Sequence, residues 1–122
     1  MSQRIISRGD VVKILNAWLE GRMSSEEIHD WANELFLNDE VEYEDWEGDD
    51  SITNEVLGAL DMLYMNLSLP EDAPIYLQFL ATPKSDFAKG YAVYKQRMEG
   101  IDYEARKERL RGNPLYAPFL KG

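Results

Sequence analysis

The sequence predicts an all-α fold, a single-domain bundle of five or six helices over residues 1–122 with an acidic loop between helices two and three. Apolar residues recur at helical spacing in one segment after another. Helix-start and helix-stop residues bracket those segments. The 44% hydrophobic content suits one domain with one core.

The first helix begins after Ser7 or Asp10, and Val11, Ile14, Leu15 and Trp18 form its apolar stripe. Gly21 is placed to end it in the left-handed conformation. Ser24-Ser25-Glu26-Glu27 then makes a capping box, with Ser24 as N-cap and Glu27 three residues on. Met23 and Ile28 sit where a hydrophobic staple needs them, and Glu26, Glu27 and Asp30 suit the positive end of the helix dipole. Ile28, Trp31, Ala32, Leu35 and Phe36 are the buried stripe of helix two. The short connection at residues 21–23 makes the first two helices an antiparallel hairpin.

Ser51 can cap a third helix running to about Asn66. Ile52, Val56, Ala59, Leu60 and Leu63 share a face, while Leu57, Met62 and Met65 broaden it, which marks a central helix. Ser68-Leu69-Pro70 breaks it. A short fourth helix covers residues 73–81, with Pro74 in the first turn, where no intrahelical N–H bond is lost. Thr82-Pro83 reads as the start of a fifth helix, whose stripe is Phe87, Tyr91, Tyr94 and Met98 and whose end is Gly100. Asp102 caps a sixth, with Glu104, Arg106, Lys107, Glu108 and Arg109 read as mostly solvated. Gly112-Asn113-Pro114 stops it, and the apolar tail at residues 115–120 docks on the body. Two stretches have a strand-like look. Val41-Glu42-Tyr43-Glu44 alternates, and residues 75–80 are an apolar run that periodicity does not classify.

Residues 39–50 stand apart from this plan. Eight of the twelve are acidic: Asp39, Glu40, Glu42, Glu44, Asp45, Glu47, Asp49 and Asp50. Such a tract repels itself, so it reads as a loop, and its two large aromatics, Tyr43 and Trp46, mark a surface that something docks against. Trp46 also has a structural reading, folded back to pin the loop on the core. Opposite charge steers encounters and suppresses wrong partners, so the expected partner is a basic protein. The expected partner-binding residues are Asp39, Glu40, Glu42, Tyr43, Glu44, Asp45, Trp46, Glu47, Asp49 and Asp50.

The net charge of −10 disfavours nucleic acid and anionic membrane. It is unevenly placed: residues 1–83 carry −14 and residues 84–122 carry +4. The basic third packs beside the acidic body and relieves its repulsion, or else the surface is dipolar with separate contacts. The absence of cysteine excludes disulfides, thiolate nucleophiles and cysteine-ligated metals. The first residues lack the apolar core of a signal peptide, and no apolar run approaches the roughly 20 residues that span a bilayer, so the expected location is cytoplasmic.

No constellation for catalysis, cofactor or metal binding emerges. His29 is the single histidine and reads as a residue at the edge of helix two. Aligning Gly48 with the glycine of a calcium loop puts Tyr43 and Asn54 at the end ligand positions, where carboxylates are needed. The glycines are dispersed and form no phosphate-cradling loop. Asp61, inside the apolar third helix, faces a partner, caps a neighbouring helix or pairs with a C-terminal arginine. Tyr64, Tyr91 and Tyr94 read as core or core-edge residues. The chain is therefore expected to be a non-enzyme.

Trp18-Leu19-Glu20-Gly21-Arg22-Met23-Ser24-Ser25-Glu26-Glu27, Leu35-Phe36, Val56-Leu57-Gly58-Ala59-Leu60-Asp61 and Ile101-Asp102-Tyr103-Glu104-Ala105-Arg106 together resemble the bacterial self-protective immunity proteins of the colicin D type. The resemblance touches about three quarters of the chain as a pattern and not as a diagnostic motif. This chain departs from the family in its greater length, in a helix at 87–98 without a counterpart there, and in the basic charge of its C-terminal third. It implies a small helical bundle that blocks a nuclease toxin by presenting carboxylates where the RNA substrate's phosphates would lie, with residues 39–50 in that role. The sequence-level expectation is thus an acidic protein-binding module, an immunity-type inhibitor of a basic toxin. The alternative is a structural or regulatory homo-oligomer, a homodimer for example, built on Met62, Met65, Tyr91 and Tyr94.

Overall fold

A computed structural model describes residues 4–36, 38, 40–45, 51–83 and 85–120. Their order is β1 (Arg4–Ile6), α1 (Arg8–Leu19), α2 (Ser25–Phe36), β2 (Val41–Tyr43), α3 (Ile52–Asp61), α4 (Ala73–Leu80), α5 (Phe87–Glu99) and α6 (Tyr103–Leu110), with 3-10 turns at Pro70–Asp72 and Ala117–Phe119. The fold is an all-α bundle of six helices with one small strand pair among the described residues.

The capping chemistry sets the helix starts. Ser7 accepts from the Asp10 backbone N–H at 3.2 Å, and Asp10 accepts from the Ser7 N–H at 2.9 Å, which fixes the start of α1. At α1's end Gly21 has φ +80°. The Arg22 N–H reaches the Ala17 carbonyl at 2.8 Å and the Gly21 N–H reaches Trp18 at 3.2 Å, a Schellman closure. Ser24 and Glu27 form the reciprocal box before α2, at 3.1 and 2.9 Å. Trp18 is fully buried, and its indole N–H donates to Ser25 Oγ at 3.0 Å, tying the end of α1 to the start of α2.

One contiguous core joins Val11, Leu15 and Trp18 of α1, Ile28, Ala32 and Leu35 of α2, Val56, Leu57 and Leu60 of α3 and Tyr76 and Phe79 of α4. α1 and α2, expected to pair as a hairpin, contact each other less than each contacts the rest of the bundle. α2 packs most extensively on α3, and α1 on α4. α3 is central as expected, but Met62 and Met65 do not join its buried face; they are 45% and 59% exposed.

Three boundaries or roles also differ from expectation. α3 ends at Asp61, not near Asn66. The Asn66 side-chain amide takes the Ala59 carbonyl at 3.2 Å, and Leu67 adopts φ 53°. That corner turns the carbonyls of Leu67 and Ser68 toward Arg106 and Tyr116, at 3.0 and 2.7 Å. α5 starts at Phe87 and not at Thr82-Pro83, because the Thr82 carbonyl is held by the Arg8 guanidinium and Ser85 takes φ 78°. Arg106 is buried and not solvated: its guanidinium grips Asp72 through two bonds of 2.5 Å. With the Arg109–Glu71 pair at 2.9 Å, it seats the basic C-terminal region on the acidic body. Tyr116 of the tail is fully buried, as a docked tail requires.

Candidate functional site

Part of the acidic segment is a strand. The alternation in Val41-Glu42-Tyr43 turns Val41 and Tyr43 inward and Glu42 outward. β2 pairs in parallel with β1, in the register Arg4↔Val41, Ile5↔Glu42 and Ile6↔Tyr43. Parallel strands need a crossover connection, which α1 and α2 supply. The reading of this stretch as loop is therefore corrected at Val41–Tyr43; β1 is too short for its periodicity to be read.

Asp45 anchors the segment. It is 5% exposed and accepts from Ser51 Oγ at 2.5 Å, the Thr53 backbone N–H at 3.1 Å and Arg8 Nε at 2.9 Å. Burial pushes the Asp45 carboxyl up, but the Ser51, Arg8 and Thr53 bonds outweigh it and hold the group below the usual carboxylate range. Ser51 also caps α3 by accepting from the Asn54 N–H at 3.0 Å, so the carboxylate sits at the positive end of that helix. Arg8 continues to the Leu80 carbonyl at 3.0 Å and to that of Thr82. Asp45 thereby joins α1, the acidic segment, α3 and the end of α4. Tyr43 is buried beside it; burial raises its hydroxyl pKa, and a hydrogen bond with Asn54 opposes that rise.

Glu40, Glu42 and Glu44 stand exposed on the other side. Alternate residues of an extended chain lie about 7 Å apart. None of the three forms an ion pair with another described residue. Asp39, Trp46, Glu47, Asp49 and Asp50 lie outside the described residues. The structure thus divides the segment: Tyr43 and Asp45 hold it, and Glu40, Glu42 and Glu44 are presented. Arg8, the cation that fixes it, carried no sequence signal, because its partner lies 37 residues away.

Asp61 accepts from the Asn33 side-chain amide at 2.6 Å, a bond between α3 and α2. His29 is half-buried, its ring 4.6 Å from that of Tyr64 and its Nδ1 3.3 Å from Asp30. Among the described residues no cluster of three or more His, Cys, Asp or Glu could hold a metal ion, and no helix is long and apolar enough to cross a membrane. Tyr91 and Tyr94 pack half-buried against the core, with Tyr94 stacked on Phe79 at 4.5 Å. They also border a groove of about 340 Å³ between α2, α3 and α5, whose other walls include Phe36, Glu55 and Met62. No protein-family model, curated protein or solved structure matches the chain.

Proposed function

We propose that the chain is a non-enzymatic acidic module that binds a basic protein, and that it acts as an immunity-type inhibitor of a basic nuclease toxin. The observation that carries this reading is the division of the acidic segment. Tyr43 and Asp45 fix the backbone, and Glu40, Glu42 and Glu44 face outward without an internal cation among the described residues. A carboxylate row held in place before binding avoids much of the ordering cost at encounter. Its charge raises the association rate with a basic partner and repels acidic competitors. In a toxin complex these carboxylates would stand where substrate phosphates otherwise lie. A cytoplasmic location accords with a chain that has no cysteine.

The test is affinity capture from lysate of the native host, with the parent protein and E40K/E42K/E44K as parallel baits at low and moderate salt. One basic protein, retained by the parent, lost by the variant and inhibited as a nuclease by the parent, is the expected result. Equal retention by both baits removes the strand from the interface and overturns the reading. A second reading, a homo-oligomer, is favoured by the exposure of Met62 and Met65. A strict monomer by light scattering at high concentration counts against it.

A further inference from the structure

We infer that the groove between α2, α3 and α5 receives a large apolar side chain, flanked by lysine or arginine, from the basic partner. This deepens the proposed function and rests on it. The groove walls are apolar where an anchor would sit: Phe36 of α2, Ala59 of α3 and Met62 at its C-terminal end, and Tyr91 and Tyr94 of α5. Gly58 forms part of the floor. A Cβ there would meet the Phe36 ring at 3.2 Å, so the missing side chain lets that ring lie across α3. Aromatics and methionine are the residue types that dominate interface cores and adapt to an incoming side chain. About 340 Å³ accommodates anchoring side chains but not a whole helix.

Charge selects the occupant. Glu55 lines the groove beside Tyr94, whose hydroxyl pKa it helps to raise after burial and Tyr76. Glu55 has no ion-pair partner among the described residues. Asn54, another wall residue, hydrogen-bonds the buried Tyr43 of β2, so α3 links the groove wall to the strand whose outward side carries Glu42. An apolar pocket beside Glu55, on a molecule whose β2 segment presents Glu40, Glu42 and Glu44, fits an apolar anchor in a basic setting. An acidic or neutral segment would leave those carboxylates uncompensated.

The test uses protein with ¹³C-labelled methionine methyls and a synthetic 12-residue lysine- and arginine-rich peptide carrying one central phenylalanine. The expected result is saturable binding that shifts the Met62 methyl. Replacing the phenylalanine by alanine weakens binding about tenfold, as loss of an interface anchor does. Met62→Glu gives a similar loss and Met62→Leu keeps binding, with circular dichroism confirming that both variants fold. E40K/E42K/E44K lowers affinity and its salt dependence while the Met62 shift persists at saturation. Absence of saturable binding overturns the inference. Binding that depends on the glutamates but ignores Met62→Glu overturns the groove and leaves the acidic-surface reading standing. Binding that depends on Met62 but ignores both salt and the glutamates overturns the acidic-surface reading. A Met62 shift that appears on concentrating the protein alone, with a doubled mass in light scattering, gives the groove to a second copy and overturns the inference.

Discussion

Two arginine–aspartate pairs secure the molecule, one near each end of the chain, and they are built on different plans. At the N-terminal pair, Arg8 is partly exposed and reaches Asp45 with one nitrogen, while Ser51 and the Thr53 N–H supply the carboxylate's other bonds. At the C-terminal pair, Arg106 and Asp72 are both buried and meet through two bonds of 2.5 Å, with the Leu69 N–H adding one of 3.0 Å. Asp45 is a helix-end carboxylate that an arginine assists. Asp72 is a buried carboxylate whose Oδ1 has no hydrogen-bond donor but Arg106 among the described residues. Removing the cation should therefore have unequal consequences.

Arg106→Met is expected to cost about 3–5 kcal/mol, because it leaves the Asp72 charge buried without its partner. The double variant R106M/D72L should recover much of that, since a packed apolar pair replaces a buried ion pair at little net cost. Arg8→Met should cost less, about 1–3 kcal/mol, because Asp45 keeps two donors. Urea unfolding of the three variants checks the order. Equal losses for R106M and R8M would break the comparison, showing that the Ser51 and Thr53 bonds do not carry Asp45 alone.

Gly90→Ala probes the same N-terminal clip from the far side. A Cβ at Gly90 would lie 2.8 Å from Thr82 Cβ, and the Thr82 carbonyl is held by Arg8. The expected cost is about 1–3 kcal/mol, typical of overpacking against a side chain that cannot retreat. It should shrink in the Arg8→Met background, where Thr82 is freer to move. Additive losses in a double-mutant cycle would show that Arg8 does not fix Thr82.

The Asp45 site also makes a pH prediction. The folded carboxyl titrates below its ordinary value of 3.8, so its contribution is fully present above that pH and is lost as pH falls through the lower folded value. Asp45→Asn should lower stability near neutrality and flatten the fall in stability below about pH 4. An acid-unfolding profile with the parent's slope would mean that Asp45 gains nothing from ionisation in the folded state.

The unequal legibility of these features in the sequence has a physical cause. Ser7, Gly21, Ser24, Ser51 and Asp102 act on backbone within a few residues, so their roles can be read locally. The stripes of α1 and α2 are legible for the same reason. Arg8 and Arg106 find their aspartates 37 and 34 residues away, and nothing beside them in sequence marks the choice. The early end of α3 and late start of α5 follow from those same distant partners. In the acidic segment composition obscured pattern. Its charge pointed to one exposed surface, whereas the alternation at Val41–Tyr43 and the donors at α3's start separate inward from outward residues. Phe36 and Met62 were assigned to buried stripes, whereas in the fold they line a groove together with Tyr91 and Tyr94 of α5, a juxtaposition that no local pattern marks.

The smallest expected effect is on the presented side of that division. E40K/E42K/E44K should change unfolding free energy by no more than about 0.5 kcal/mol, because none of the three is buried or ion-paired among the described residues. The sign is expected to be neutral to stabilising, since the change relieves repulsion in a chain of net charge −10. Adding Asp45→Lys to this set should destabilise by several times that amount, because a lysine there meets Arg8 and the positive end of α3 instead of accepting their hydrogen bonds. Thermal unfolding of the triple and quadruple variants separates the two groups of carboxylates. A triple variant that unfolds as readily as the quadruple would mean that the outward glutamates also hold the strand, and their effect on binding could then no longer be read as surface charge alone.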